Sequence, residues 1–154
     1  MRRPRKEGEM ARSIAGVVVG YIVIFLVVFL TFSAAYLMMG QDLAFREGSY
    51  VPSMLWSAVS IVLGLVAAVA GGWVCMAIAR KKGAVSALVV VVLILGVVTA
   101  IPSFTAAGTD QVRSGTVSNM EAMMQARTPA WMALLNIVIG VVGVMAGSRL
   151  KKVE

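Results

Sequence analysis

Charged side chains are missing from four long stretches of this chain, residues 14–39, 54–79, 84–104 and 130–148, and are gathered into the short segments between them. A helix needs roughly 17 to 25 apolar residues, rising 1.5 Å each, to cross a hydrocarbon core. All four stretches meet that length. Their richness in valine (Val17 to Val19, Val89 to Val92) would favour strands in water, but lipid offers no partner to an open sheet edge. The pattern therefore predicts an all-α, polytopic membrane protein built as a four-helix transmembrane bundle.

The polar segments complete the map: a basic tail over 1–13, connectors over 40–53 and 105–129, a turn over 80–83, and a second basic tail over 149–154. Turn and cap residues agree with it. Pro52 and Ser53 precede span 2, Gly83 is read as the break before span 3, and Thr128 with Pro129 precedes span 4. The 80–83 turn is short enough to make spans 2 and 3 expected antiparallel neighbours. Within 105–129, Ser118 and Glu121 have capping-box spacing, which predicts a short amphipathic helix over about 118–127. The preceding half, residues 105–116, is small, polar and glycine-rich, and reads as a loop.

Composition narrows the class further. Of the 154 residues 60% are hydrophobic and only 14% charged, against about 25% charged in soluble domains. The basic start followed by an apolar core resembles a secretory signal, but residues 14–32 exceed the 7 to 15 typical of such a core, so span 1 is expected to stay as an anchor. The net charge of +7 adjoins lipid at the span ends, so anionic head groups are the expected partner, not nucleic acid.

Charge also sets the direction of threading, because Lys and Arg are retained on the cytoplasmic side. The two tails and the 80–83 turn hold eleven of the fourteen basic residues, among them Arg80, Lys81, Lys82, Arg149, Lys151 and Lys152; the other two connectors hold Arg46, Arg113 and Arg127. Strict alternation predicts both termini inside, as in a bacterial cytoplasmic membrane. Trp56 and Trp131 fall at the predicted outer starts of spans 2 and 4, where indole rings favour the interface.

Helices in lipid associate through close packing of small residues and through interhelical hydrogen bonds. Span 2 carries Ser57, Ser60, Gly64, Ala67 and Gly71 at alternating spacings of three and four, span 4 carries Ala133, Asn136, Gly140, Gly143 and Gly147, and span 1 has Gly16 and Gly20. These stripes predict the packing faces. Asn136 is the single amide in any span, expected to bond a neighbouring helix at Ser57 or Ser60.

Catalytic chemistry finds little foothold. There is no histidine and one cysteine, Cys75, which excludes histidine relays and an internal disulfide. Four is also the span number of the small multidrug exporters, but span 1 lacks a membrane-embedded Glu of the kind proton coupling uses. Met120, Met123 and Met124 form a thioether group that Cu(I), a soft ion, would favour; an amphipathic helix resting its methionine face on lipid or on the bundle is the simpler reading. No cofactor and no enzyme activity are expected. The sequence points to a structural or accessory subunit acting through helix packing, with an oligomeric solute or ion pathway lined by Ser57, Ser60 and Asn136 as the alternative.

Overall fold

A computed structural model describes residues 4–105, 115–116 and 118–151, with residues 4–6 given by their backbone alone. Most of the 105–116 loop, together with Arg113 and Lys152, lies outside the described residues. Most of the rest is helical: α1 (Pro4–Ala44), α2 (Met54–Ala79), α3 (Lys82–Thr105), α4 (Asn119–Gln125) and α5 (Ala130–Leu150). Four of these, all but α4, are long and apolar enough to cross a membrane.

Helix α1 begins well ahead of residue 14 and carries the basic segment with it. Proline at the first position has no N–H to waste, and no strong breaker follows until Gly40. There the backbone turns left-handed (φ 72°, ψ 171°), a conformation that glycine tolerates without steric cost. After a last helical turn the connector closes on itself. Phe45 pairs with Pro52 as an isolated β-bridge, Arg46 N–H donates to the Val51 carbonyl at 3.0 Å, and Ser53 N–H to the Ala44 carbonyl at 2.8 Å. Ser53 then caps α2, its hydroxyl accepting from Trp56 N–H at 3.0 Å.

The turn after α2 departs from the sequence reading. Arg80, not Gly83, makes the break: it sits in the left-handed region at φ 53° and its N–H bonds back to the Met76 carbonyl at 2.9 Å. Gly83 lies in the first turn of α3, and a side chain there would meet nothing within 4 Å. Satisfying an orphan carbonyl at the helix end offsets the steric cost of a non-glycine residue in that conformation.

Helix α2 is the centre of the bundle. It packs against α1 on one side and α5 on the other, whereas α1 and α5 do not touch among the described residues. Helix α3 packs chiefly on α5 and only lightly on α2. Joined by so short a turn, α2 and α3 stay together near it, where Met76, Ala79, Ala84, Val85 and Leu88 form one buried cluster with Val144. Spans 2 and 3 are in contact, as the short turn implies, but the more extensive surfaces of α2 are covered by α1 and α5.

Candidate functional site

Helix backbones approach closely where small residues remove the side chains between them. A Cβ on Gly16 would stand 2.8 Å from the Ala79 Cβ and 3.0 Å from the Cys75 carbonyl oxygen; one on Gly20 would stand 3.0 Å from the Gly71 oxygen. Gly71 answers in kind, 2.7 Å from the Gly20 oxygen. The next residue, Gly72, lies against the Val144 backbone of α5, while Gly147 lies against the Val69 backbone and Gly143 against Ala68. Successive helical residues point about a quarter-turn apart, so the Gly71–Gly72 pair lets α2 accept two close neighbours at one level. The sequence stripe contained Gly71 but missed Gly72 and Ala68.

Other members of the stripes have different surroundings. Ala67 and Ala133 are buried. Gly140 faces α3, where a Cβ would meet the Val92 side chain at 2.9 Å. Gly64 has room around it, since a Cβ there meets no atom of the described residues within 4 Å, although its stripe neighbours Ser60 and Ala67 are buried. Ser57 donates to the Ser53 carbonyl of its own helix at 2.8 Å. The Ser60 hydroxyl is buried without a hydrogen-bond partner among the described residues.

Asn136 does not meet either serine. It is exposed and lines a cleft of about 220 Å³ between α3 and α5, with Thr99, Ser103 and Thr128 as the other polar groups. The Thr99 hydroxyl is occupied by the Leu95 carbonyl at 2.9 Å, as Thr31 is by the Val27 carbonyl at 2.6 Å. Asn136 has no hydrogen bond to any described residue. Thr128, expected to cap α5, contributes to this cleft instead; Pro129 occupies the cap position without a side-chain bond.

Away from the basic end, connector and helices are tied by rings. Trp56 meets Phe32 and Tyr36 edge-on, Tyr36 meets Phe45, and Phe45 meets Tyr50, with centroids 5.9–6.2 Å apart. Edge-to-face pairs contribute about 0.5 to 1.5 kcal/mol each beyond burial. Tyr50 is the link to α4: its hydroxyl donates to the Glu121 carboxylate at 3.2 Å, and its carbonyl accepts from Arg127 N–H at 3.0 Å. Ser118 caps α4 through Glu121 N–H at 3.2 Å, and Asn119 donates to the Ser33 hydroxyl of α1 at 3.2 Å. The buried face of α4 is Ala122, whereas Met120, Met123 and Met124 are all exposed. Among the described residues the thioethers are therefore not part of the buried contact that α4 makes.

At the opposite end the three basic segments converge. Lys81 pairs with Glu9 at 2.6 Å, Arg12 donates to the Ile78 carbonyl at 3.4 Å, and the Lys151 ammonium lies 6.0 Å from the Trp73 ring centroid. Arg80, Lys82, Arg149 and Lys151 rim a groove between α3 and α5. Trp73 was not singled out from sequence, although an exposed indole at a span end is the expected interfacial signal. Among the described residues no three His, Cys, Asp or Glu side chains are grouped to hold a metal. The chain matches no known protein family, no characterised protein and no solved structure.

Proposed function

We propose that this protein is a small, non-enzymatic membrane subunit that assembles, through the α3–α5 face, with another copy of itself or with a partner membrane protein. The observation that carries the reading is Asn136, exposed on an apolar helix and without a partner among the described residues. An unpaired polar group costs several kcal/mol in hydrocarbon, and an interhelical hydrogen bond to an amide contributes about 0.6 to 2 kcal/mol. A helix seated in the cleft would satisfy it. The basic end is assigned to the cytoplasm by charge retention, with both termini inside and a bacterial cytoplasmic membrane as the setting.

A second reading has its own support. The cleft carries three hydroxyl residues beside the amide, so oligomers could enclose a water-lined solute or ion pathway there. Ser57 and Ser60 are buried and do not line this cleft, which moves any such pathway to α3 and α5.

One experiment separates the two. With Cys75 replaced by Ser, Asn136→Cys is introduced and tested in native membranes. Assembly predicts an oxidative cross-link at dimer mass or to a partner, with protection from a membrane-impermeant maleimide. Ready labelling without cross-linking favours the pathway. A chain that neither cross-links nor labels, and is monomeric in mild detergent, sinks both.

A further inference from the structure

The groove at the basic end has a composition that the packing role does not use. It encloses about 770 Å³ between α3 and α5. Its rim is cationic, with Arg80, Lys82, Arg149 and Lys151, and the rest of its lining is mostly apolar, Val89 and Met145 among it, with the hydroxyls of Ser86 and Ser148 beside them. Among the described residues no acidic side chain lines it. Glu9 is engaged by Lys81, which lies outside the groove on the α1 side. All four rim cations are exposed, and among the described residues none of them has a carboxylate partner. Three chain segments supply them: the end of α2, the start of α3 and the end of α5.

We propose that this groove binds one anionic phospholipid, its phosphate held among Arg80, Lys82, Arg149 and Lys151 and one acyl chain lying along Val89 and Met145. The occupant follows from the juxtaposition. A soluble anion would use the rim and leave the apolar part of the lining wet; a partner helix would cover that part but strand four unpaired cations against it. A phospholipid satisfies both parts at once. Basic pockets between membrane helices at a span end have this character, with each Lys or Arg near the surface adding to the attraction. Guanidinium groups favour phosphate through paired N–H donors, and two of the four cations are arginines. Four positive charges exceed the charge of a single phosphate, so a lipid with two phosphates binds more tightly than one with one. The proposal requires only that the chain lies in a bilayer, and it is independent of the Asn136 cleft at the other end of α3 and α5.

The test is native mass spectrometry of the full chain in mild detergent, titrated with phosphatidylglycerol, the two-phosphate cardiolipin and zwitterionic phosphatidylethanolamine. The expected result is one retained lipid with the order cardiolipin, phosphatidylglycerol, phosphatidylethanolamine. Arg80→Gln with Arg149→Gln should lower anionic-lipid affinity about thirty-fold, while Arg5→Gln with Lys6→Gln, an equal loss of charge in the N-terminal segment, should leave it within two-fold. Val89→Trp, which keeps every cation and obstructs the apolar part of the lining, should also weaken binding, and it stands in should the double arginine variant fold poorly. Equal binding of phosphatidylethanolamine, equal losses in the control pair, or displacement of the lipid by millimolar inorganic phosphate would each overturn the proposal. A dimer that excludes lipid would do the same.

Discussion

Gly72 of α2 and Val144 of α5 are packed so closely that a side chain on the glycine would run into the valine's main-chain carbonyl. Its neighbour Gly71 has the same relationship to Gly20 of α1, at 2.7 Å from the carbonyl oxygen. One dipeptide thus sets the spacing of three helices.

Gly72→Leu is therefore expected to destabilise the bundle by about 3 kcal/mol or more, since backbone cannot step aside as a side chain can. Gly64→Leu, with open space around it, should stay within about 0.5 kcal/mol. Thermal unfolding in one detergent, followed by size-exclusion recovery, checks the contrast. Equal losses would mean that α2 does not pack as described.

Tyr50 joins the first connector to the 118–127 segment through its hydroxyl, bonded to Glu121, and its carbonyl, bonded to Arg127, while its ring meets Phe45 edge-on. Tyr50→Phe keeps the ring and is expected to cost about 1 kcal/mol through the lost bond to Glu121. Tyr50→Ala removes a buried ring and should cost about 3 to 5 kcal/mol. Limited proteolysis at residues 45–53 and 118–127 reports this locally: only the alanine variant should be cut markedly faster.

Ser60 buries a hydroxyl that no described residue satisfies. Ser60→Ala removes the desolvated group with little change of volume, so stability should rise by about 1 kcal/mol. A loss of similar size in the same unfolding measurement would show that the hydroxyl is bonded in the membrane.

Arg80 holds a left-handed conformation at φ 53° that costs a side-chain-bearing residue about 1 to 2 kcal/mol. Arg80→Gly relieves it and should raise the unfolding temperature, offset in part by the greater freedom of glycine in the unfolded chain. The same change removes one rim cation, so stability and retention of anionic lipid should move in opposite directions.

Orientation is tested by fusing a reporter after Gly83. It should report the cytoplasm in the unaltered chain, and replacing Arg80, Lys81 and Lys82 together by Gln should yield a mixture of orientations, because the retained charge of that turn is gone. A reporter found outside in the unaltered chain would require the threading to be redrawn.

Much of the architecture could be read in advance, and the reason is the length and apolar composition of the four runs. Backbone donors and acceptors in apolar surroundings need internal partners, so apolar runs of this length read as helices, and they are α1, α2, α3 and α5, with lysine and arginine gathered near their ends. Small residues likewise announced that Gly16, Gly20, Gly71, Gly143 and Gly147 would be contact points. Local chemistry located the caps at Ser53 and Ser118, whose bonds reach three residues ahead.

What the spacing could not specify is which face meets which helix. Helices of this kind are apolar all round, so no polar side marks the outside, and a stripe says only that something approaches. Tertiary structure decided that Gly71 turns to α1 and Gly72 to α5, that a side chain at Gly64 would meet no described residue, and that Asn136 faces outward instead of toward Ser57 and Ser60. It also decided that Arg80, Lys82, Arg149 and Lys151, brought from three segments, share one groove. Those outcomes depend on how four nearly uniform cylinders fit together, a property of steric complementarity between distant residues that no local pattern along the chain contains.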